Sequence, residues 1–375
     1  MSAVWFLYKS TEAACCHRAR KRIPVRIHVI GTRGKSQTVR LILAGLRAGG
    51  MRAVGKTTGE VPTFIDEKGN PHALRRHAPA RIAEQVFLLR WAARRRADAV
   101  VVECMAIHPE LIRAETRILV PHLTVLTNVR PDHCDIWGPT KKDAAAALAA
   151  GVFGGKLFAP ESERIAEVWG SFLRKTKTEL FEVPEGYAGS LSRTPLPLRL
   201  RLENLSLALK VCEHLGVNRH KALEAMLVEQ IPNAFGLWEI NWRGRKFLFA
   251  NAFTANDPRS TEYLLGQAMK YIGPLSLIGL FNNRRDRLFR VRLFSHFVRE
   301  HRFHRLFLLG DPVPGWRSRF PGALPLWGRR NPEEIWDEVL ASHTDGPPLC
   351  FGFGNFKGMG AVLSSWVERH ASRSV

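Results

Sequence analysis

A long apolar run is the first thing this 375-residue sequence lacks: no stretch approaches the roughly 18 to 20 residues needed to cross a bilayer. The short apolar start, Val4 to Tyr8, is without the residue order of a signal peptide. Cysteine is sparse: the six, at 15, 16, 104, 134, 212 and 350, form no C-x-x-C pair and no zinc-like Cys/His spacing. That argues against a disulfide framework or a zinc scaffold and points to a reducing compartment. The expectation is a soluble cytoplasmic protein. Internal repeats and low-complexity segments are absent as well. Acid is also in short supply, 34 Asp and Glu against 56 Lys and Arg, for a formal charge of +22.

What is present is core-forming material, 45% hydrophobic residues in a chain longer than one ordinary domain. The basic residues cluster at Arg18 to Arg26, Arg90 to Arg96, Arg284 to Arg292 and Arg302 to Arg305. Such a surface attracts polyanions, whether nucleic acid, an acidic polymer or an anionic leaflet. No nucleic-acid module is recognisable, and no aromatic-basic interleaving of the stacking kind, so nucleic acid is disfavoured.

Residues 1–22 show no sustained periodicity and end in basic residues, so they read as a peripheral arm. Val25 to Ile30 then looks like a buried strand, followed by a glycine loop and a helix from Gln37 to Arg47 stopped by Gly49 and Gly50. Pro79 can start a second helix, and Ala99 to Val102 forms a strand ending at Glu103. Leu123 to Thr127 is another strand, and Thr140 with Asp143 opens a capped helix through Ala150. Two helices, Glu203 to Leu215 and Arg219 to Glu229, close a domain over 23–232. After a linker at 233–240, a second α/β domain fills 241–375, with strands at Phe247 to Ala252, Leu275 to Phe281, Leu306 to Leu309 and Leu349 to Phe353. Alternating apolar strands and helices predict parallel sheets with ligands at the carboxyl ends of the strands.

Two stretches compete as the phosphate loop. Gly50 to Thr57 fits the full G-x-x-x-x-G-K-[ST] pattern, whereas Gly31 to Ser36, G-T-R-G-K-S, lacks the outer glycine. A phosphate loop works because a strand delivers backbone N–H groups and a helix points its positive end at the phosphates. Only the second stretch has that setting. Gly31, Thr32, Arg33, Gly34, Lys35 and Ser36 are therefore assigned to ATP, with Lys35 on the phosphates and Ser36 on Mg2+. Lys56, Thr57, Thr58 and Gly59 read either as a second loop beside the site, with hydroxyls in reach of the metal, or as an ordinary turn. Glu103 stands at a strand end, where P-loop proteins put an acid on the metal. Asn128 to Asp135 sets His133 between two acids, a metal-competent arrangement.

In this order, these motifs resemble the Mur ligase superfamily and, within it, the catalytic subunits of poly-γ-glutamate synthases. The likeness extends to Val54 to Gly59, Glu103 to Ala106, Asp132-His133 with Gly138 to Thr140, Asn256-Asp257 with Ser260-Thr261, Arg285 to Arg287 and Gly352 to Asn355. The resemblance implies an α/β fold with a P-loop central domain and a smaller Rossmann-like carboxy-terminal domain that closes over it. It implies ATP and Mg2+, with Ser36, Glu103 and His133 on the metal, Thr57 near it, and Asn204 and Asp257 at the nucleotide. Lys56, Thr58, Arg284, Arg285 and Asn355 become substrate candidates, and Arg287 a candidate to act on the reacting phosphate. The implied partners are glutamate, its growing polymer and small integral-membrane export subunits, with the basic arm held near the inner leaflet. Three features depart from the pattern. Ala144 to Phe153 offers no lysine for the carbamylated lysine of Mur ligases. Phe235 to Trp238 has no arginine where the second domain begins, leaving Arg243 or Arg245 as substitutes. Residues 1–22 hold no membrane-spanning helix.

The chemistry implied is amide formation through an acyl phosphate: the γ-phosphoryl of ATP activates a carboxylate, and the glutamate amine then displaces phosphate. The alternatives are a folate-type glutamate ligase, a P-loop ATPase acting on nucleic acid, and a binding subunit that ATP merely switches.

Overall fold

The apolar run before the glycine loop folds as a central strand, because strands buried on both faces tolerate little polarity. The computed structural model describes the chain except at residues 1, 60–61, 75–79, 193–196, 233, 256, 273–275, 329–330, 344–345 and 374–375. Pro79 and Asn256 lie outside the described residues. Two compact units result, Met1–Leu196 with Leu200–Gln230, and Pro197–Arg199 with Ile231–Val375.

The first unit is built on β1 (Val25–Ile30), β2 (Ala53–Thr57), β3 (Thr63–Ile65), β4 (Pro71–Ala73), β5 (Ala99–Glu103), β6 (Leu123–Leu126), β7 (Gly155–Pro160) and β8 (Thr178–Val183). Their order across the sheet is β4-β3-β2-β5-β1-β6-β7-β8. All neighbours are parallel except the β2-β3-β4 pairs. From β1 the chain first runs towards β2 and later returns to β6 on the other side. The carboxyl end of β1 is thus a switch point, the crevice where open α/β sheets bind ligands. The register places Glu103 beside Val29, and Leu126 beside Ile30.

The helix after β1 spans Lys35–Ala48 and buries Val39, Leu41, Ile42, Leu43 and Leu46. The expected capping box is present at Thr140, whose side chain accepts from Asp143 N at the start of Lys141–Ala149. The segment read as a peripheral arm is instead a helix, Ser2–Lys21. Cys16 and Ala19 are buried in a cluster with Leu88, Leu89 and Ala92, and Arg20 donates to the Arg117 and Ile118 carbonyls. Among the helix residues whose burial is described, the buried apolar ones are small, and small residues print little periodic pattern. Among the described residues no helix is long and apolar enough to cross a membrane.

The second unit contains β9 (Leu237–Trp242), β10 (Arg245–Asn251), β11 (Leu277–Asn283), β12 (Arg305–Gly310), β13 (Leu324–Pro325), β14 (Leu349–Gly354) and β15 (Ser372–Arg373), ordered β13-β12-β11-β14-β10-β9-β15. The β13 to β10 neighbours are parallel, and β9 and β15 are antiparallel. β9 takes up part of the stretch expected to be linker. Phenylalanines crowd one face of this sheet, with Phe281, Phe294 and Phe353 fully buried there.

Candidate active site

The loop from Gly31 to Gly34 turns as it does because two of its residues have no side chain. Gly31 has φ 127°, and a Cβ there would fall 2.2 Å from Thr127 Oγ1. Gly34 has φ 84°, and its Cβ would fall 2.5 Å from Asn204 Nδ2. Both positions therefore require glycine. The loop is tied to the next strand by Asn128, which follows β6. Its Oδ1 accepts from Thr32 Oγ1 at 2.8 Å and Arg33 N at 3.0 Å, and its Nδ2 donates to Arg33 O at 2.9 Å. Lys35 Nζ donates to Gly31 O at 2.7 Å and Thr32 O at 3.4 Å, so the ammonium lies over the loop.

Across the switch point, Glu103 ends β5, only 5% exposed. Its Oε2 accepts from Ser36 Oγ and from Thr58 N, each at 2.7 Å. Asp132 Oδ2 lies 2.7 Å from Arg33 Nη1 and 3.6 Å from His133 Nε2. Burial pushes the Asp132 carboxyl up, but the charges of Arg33 and His133 outweigh it and hold it below the usual carboxylate range. His133 adopts φ 47°, uncommon for a non-glycine residue, and its ring meets Trp137 edge-on at 5.3 Å. Gly31, Lys35, Glu103, His133 and Trp137 share the lining of one cavity of about 210 Å3.

Asn204 is fully buried, donates to Gln37 Oε1 at 2.9 Å and leaves its Oδ1 without a hydrogen-bond partner beside Gly34. A glycine cradle, a lysine over it and an orphaned buried carbonyl fit a nucleotide phosphate and its metal. Ser36 with Glu103 offers hard oxygen donors for that ion.

The competing motif has a different role. Lys56 and Thr57 are not in a loop but on β2, both buried. Lys56 is fully buried, 2.7 Å from Glu84 Oε2 and 3.3 Å from Met105 Sδ. A buried lysine held by a carboxylate from the helix Glu84–Arg94 belongs to the core and does not reach out to a phosphate or a substrate. Thr57 pairs with Thr63 of β3. Thr58 reaches the site through its backbone N–H, which donates to Glu103, and Gly59 follows it close to Ser36. Breaking the Lys56–Glu84 pair in Lys56→Ala is expected to cost about 3–5 kcal/mol of stability, read as a lowered denaturation midpoint. Nucleotide affinity of the folded fraction stays near wild type.

The remaining candidates lie in the second unit. Asp257 caps a helix, accepting from Ser260 N at 2.9 Å ahead of Pro258–Ile272. Arg284, Arg285 and Arg287 surround a 3₁₀ turn beyond β11, with Arg284 Nη2 2.7 Å from Asp286 and Arg287 Nε 3.9 Å from it. Arg285 is exposed, its backbone N–H donating to Asp311. Asn355 is buried and works as a brace, accepting from Arg290 and donating to Asn282 O at 3.0 Å. The suggested arginine substitutes are otherwise engaged. Arg245 stands at the amino end of β10, donating to Leu340 O and His343 O, and Arg243 pairs with Asp337 at 3.0 Å. Asn128, expected only as the start of the segment around His133, ties down the glycine loop, and Trp137, not among the expected site residues, lines the cavity. A polar residue directly after a strand signals the first; nothing local signals the second.

The chain is similar to known proteins in sequence and in fold. A protein of Bacillus subtilis (strain 168), PGA synthase CapB, is 30% identical over 364 residues, 93% of this chain and 91% of that protein. The chain belongs to the CapB family. A second CapB relative, the capsule biosynthesis protein of Bacillus anthracis, is 30% identical over 300 residues, which span 78% of this chain and 64% of that protein. The poly-gamma-glutamate synthase CapB C-terminal domain family matches residues 238–370. Among solved structures, E. coli FolC in complex with ADP superposes with a TM-score of 0.67 at 16% identity, covering 98% of this chain and 97% of that one. MurF from Acinetobacter baumannii gives 0.66 at 12% identity, over 94% and 79%. The fold is thus that of the Mur and FolC ligases, and as a CapB-family member the chain is an ATP-dependent, amide-forming ligase.

Proposed function

We propose that this ligase polymerises glutamate through γ-linkages by way of an acyl phosphate. The observation that carries the reading is the Ser36–Glu103 pair beside a glycine cradle, in a chain of the CapB family. Ser36, Glu103 and His133 would hold a divalent cation, here Mg2+, which when bound offsets negative charge on the phosphates. Gly31 and Gly34 give the loop the positive-φ shape that turns its backbone N–H groups towards the phosphates. Lys35 places a fixed positive charge where charge accumulates during transfer. Arg284 and Arg285 are the residues we assign to the polyanionic product, since the polymer carries one carboxylate per residue. Small integral-membrane subunits complete the assembly in this reading, and the surplus of 22 positive charges suits the inner face of an anionic membrane.

Phosphate release measured with and without glutamate tests the reading. Release that needs glutamate supports it, release that needs an added pterin points to a folate-type ligase, and glutamate-independent release rejects both. The polymer grip has its own signature. Long poly-γ-glutamate is expected to bind more tightly than short oligomers, with affinity falling steeply as salt rises from about 50 to 200 mM. The variant with Arg284→Ala and Arg285→Ala should make shorter product at near-normal ATP use, measured by gel sizing. Normal product length would remove these arginines from the assignment.

A further inference from the structure

Behind the cavity wall lies a buried polar network for which the chemistry above has no use. Glu115, in the helix Pro109–Leu119, is fully buried. Its carboxylate accepts from Met105 N at 3.3 and 3.2 Å, from Ala106 N at 3.2 Å, from Cys104 Sγ at 3.5 Å and from Gln85 Nε2. His28 of β1, also fully buried, brings its Nε2 to 3.8 Å. Burial pushes the Glu115 carboxyl up, but His28, Gln85 and Ala106 N–H outweigh that effect and keep it below its ordinary value. An ionised carboxylate survives in a core only when paired and fully hydrogen-bonded.

What these bonds hold is the turn from Cys104 to Ile107, which follows Glu103 and lines the cavity. Cys104 N still donates to the strand, to Val29 O at 2.9 Å, but beyond it the turn has no ladder partner. Glu115 supplies the acceptor instead. At the far end Ile107 O accepts from Trp137 Nε1 at 2.7 Å, and Trp137 meets the His133 ring. We propose that Glu115 is a positioning residue that fixes the Cys104–Ile107 turn as one wall of the reaction cavity and, through Ile107 and Trp137, sets His133. His28, Cys104 and Glu115 also place ligand-type atoms within 4.8 Å of one another. A metal there would have to displace donors already filling the carboxylate's lone pairs, so the network reads as a brace. That the wall serves catalysis rests on the ligase reading above; that Glu115 holds the wall does not.

The test uses the full chain with Glu115→Ala and Glu115→Gln, and three readouts: nucleotide affinity, glutamate-dependent phosphate release, and the 19F resonance of 5-fluorotryptophan at 137, assigned with Trp137→Phe. Glu115→Ala should leave nucleotide affinity within about threefold, because Asn128 holds the phosphate loop independently. Turnover should fall about 30- to 100-fold, in the range seen for groups that orient ligands from behind, and the Trp137 resonance should shift. Glu115→Gln keeps an oxygen for the Met105 and Ala106 amides, so it should lose only about three- to fivefold, with a smaller shift. If Glu115→Ala does not fold, the glutamine variant decides alone. An unmoved Trp137 resonance with unchanged turnover, or a loss of nucleotide affinity equal to the loss of turnover, overturns the proposal. If the wild-type chain shows no glutamate-dependent release, the ligase reading fails while the Trp137 resonance still decides the role of Glu115.

Discussion

Lys35→Ala is expected to lower ATP turnover by about a thousandfold or more while leaving the thermal transition within a few degrees of wild type. Lys35 is the first residue of the helix Lys35–Ala48, and its ammonium is already turned back over the loop by Gly31 O and Thr32 O. Preorganised in this way, it would meet the charge developing in the proposed transfer without reorganising. Removing one neutral donor from such a site typically costs 10²- to 10³-fold, so a full charge at the transferring phosphoryl should cost at least as much. The fold loses little, since the side chain is partly exposed and, among the described residues, no ion pair holds it to a buried carboxylate. Lys35→Arg should not rescue: a planar fork cannot occupy the place of a compact ammonium without displacing the carbonyls beneath it. Phosphate release and a denaturation curve on each variant make the check. Lys56→Ala should show the opposite pattern, lowered stability with nucleotide affinity retained in the folded fraction. A thousandfold loss confined to Lys56→Ala would transfer the nucleotide to the Gly50 to Thr57 stretch.

The contrast between those two lysines also shows what the sequence could disclose. Gly31 to Ser36 was legible because its signal is local: an apolar run, two glycines, then an amphipathic helix. The same holds for Thr140 and Asp143, whose capping box spans three residues. The place of Glu103 at the end of an apolar strand was legible in the same way. Lys56 was not correctly placed as a substrate candidate, because its partner Glu84 is 28 residues away and approaches only once the helix Glu84–Arg94 packs on the sheet. Asn355 and Arg245 were misjudged for the same reason, since distant contacts with Arg290, Leu340 and His343 turn them into braces. The helix Ser2–Lys21 printed no clear period, and its described buried residues, Cys16 and Ala19, are small. Periodicity reports large buried side chains and is blind to small ones and to buried polar pairs.

Glu103→Gln is the substitution that separates a metal ligand from a hydrogen-bond acceptor at the heart of the site. The Glu103 carboxylate accepts from Ser36 Oγ and Thr58 N through the same oxygen, and the residue is 5% exposed. Glutamine preserves the shape and one acceptor oxygen, so both bonds can be kept and the thermal transition should hold. What disappears is the charge. A hard divalent cation binds an amide oxygen far less tightly than a carboxylate, so turnover at a low, fixed Mg2+ concentration should fall about a hundredfold or more. The half-saturating Mg2+ concentration should rise by about tenfold or more, and raising the cation should recover part of the lost rate. Glu103→Ala should behave differently: it leaves the Thr58 amide without its acceptor, so it should lose stability along with turnover and recover little with added cation. Titrating Mg2+ against phosphate release, at fixed nucleotide, reads both effects. If Glu103→Gln keeps the wild-type Mg2+ dependence and rate, the carboxylate serves only to seat Ser36 and Thr58, and the cation must be held by Ser36 and His133 without it.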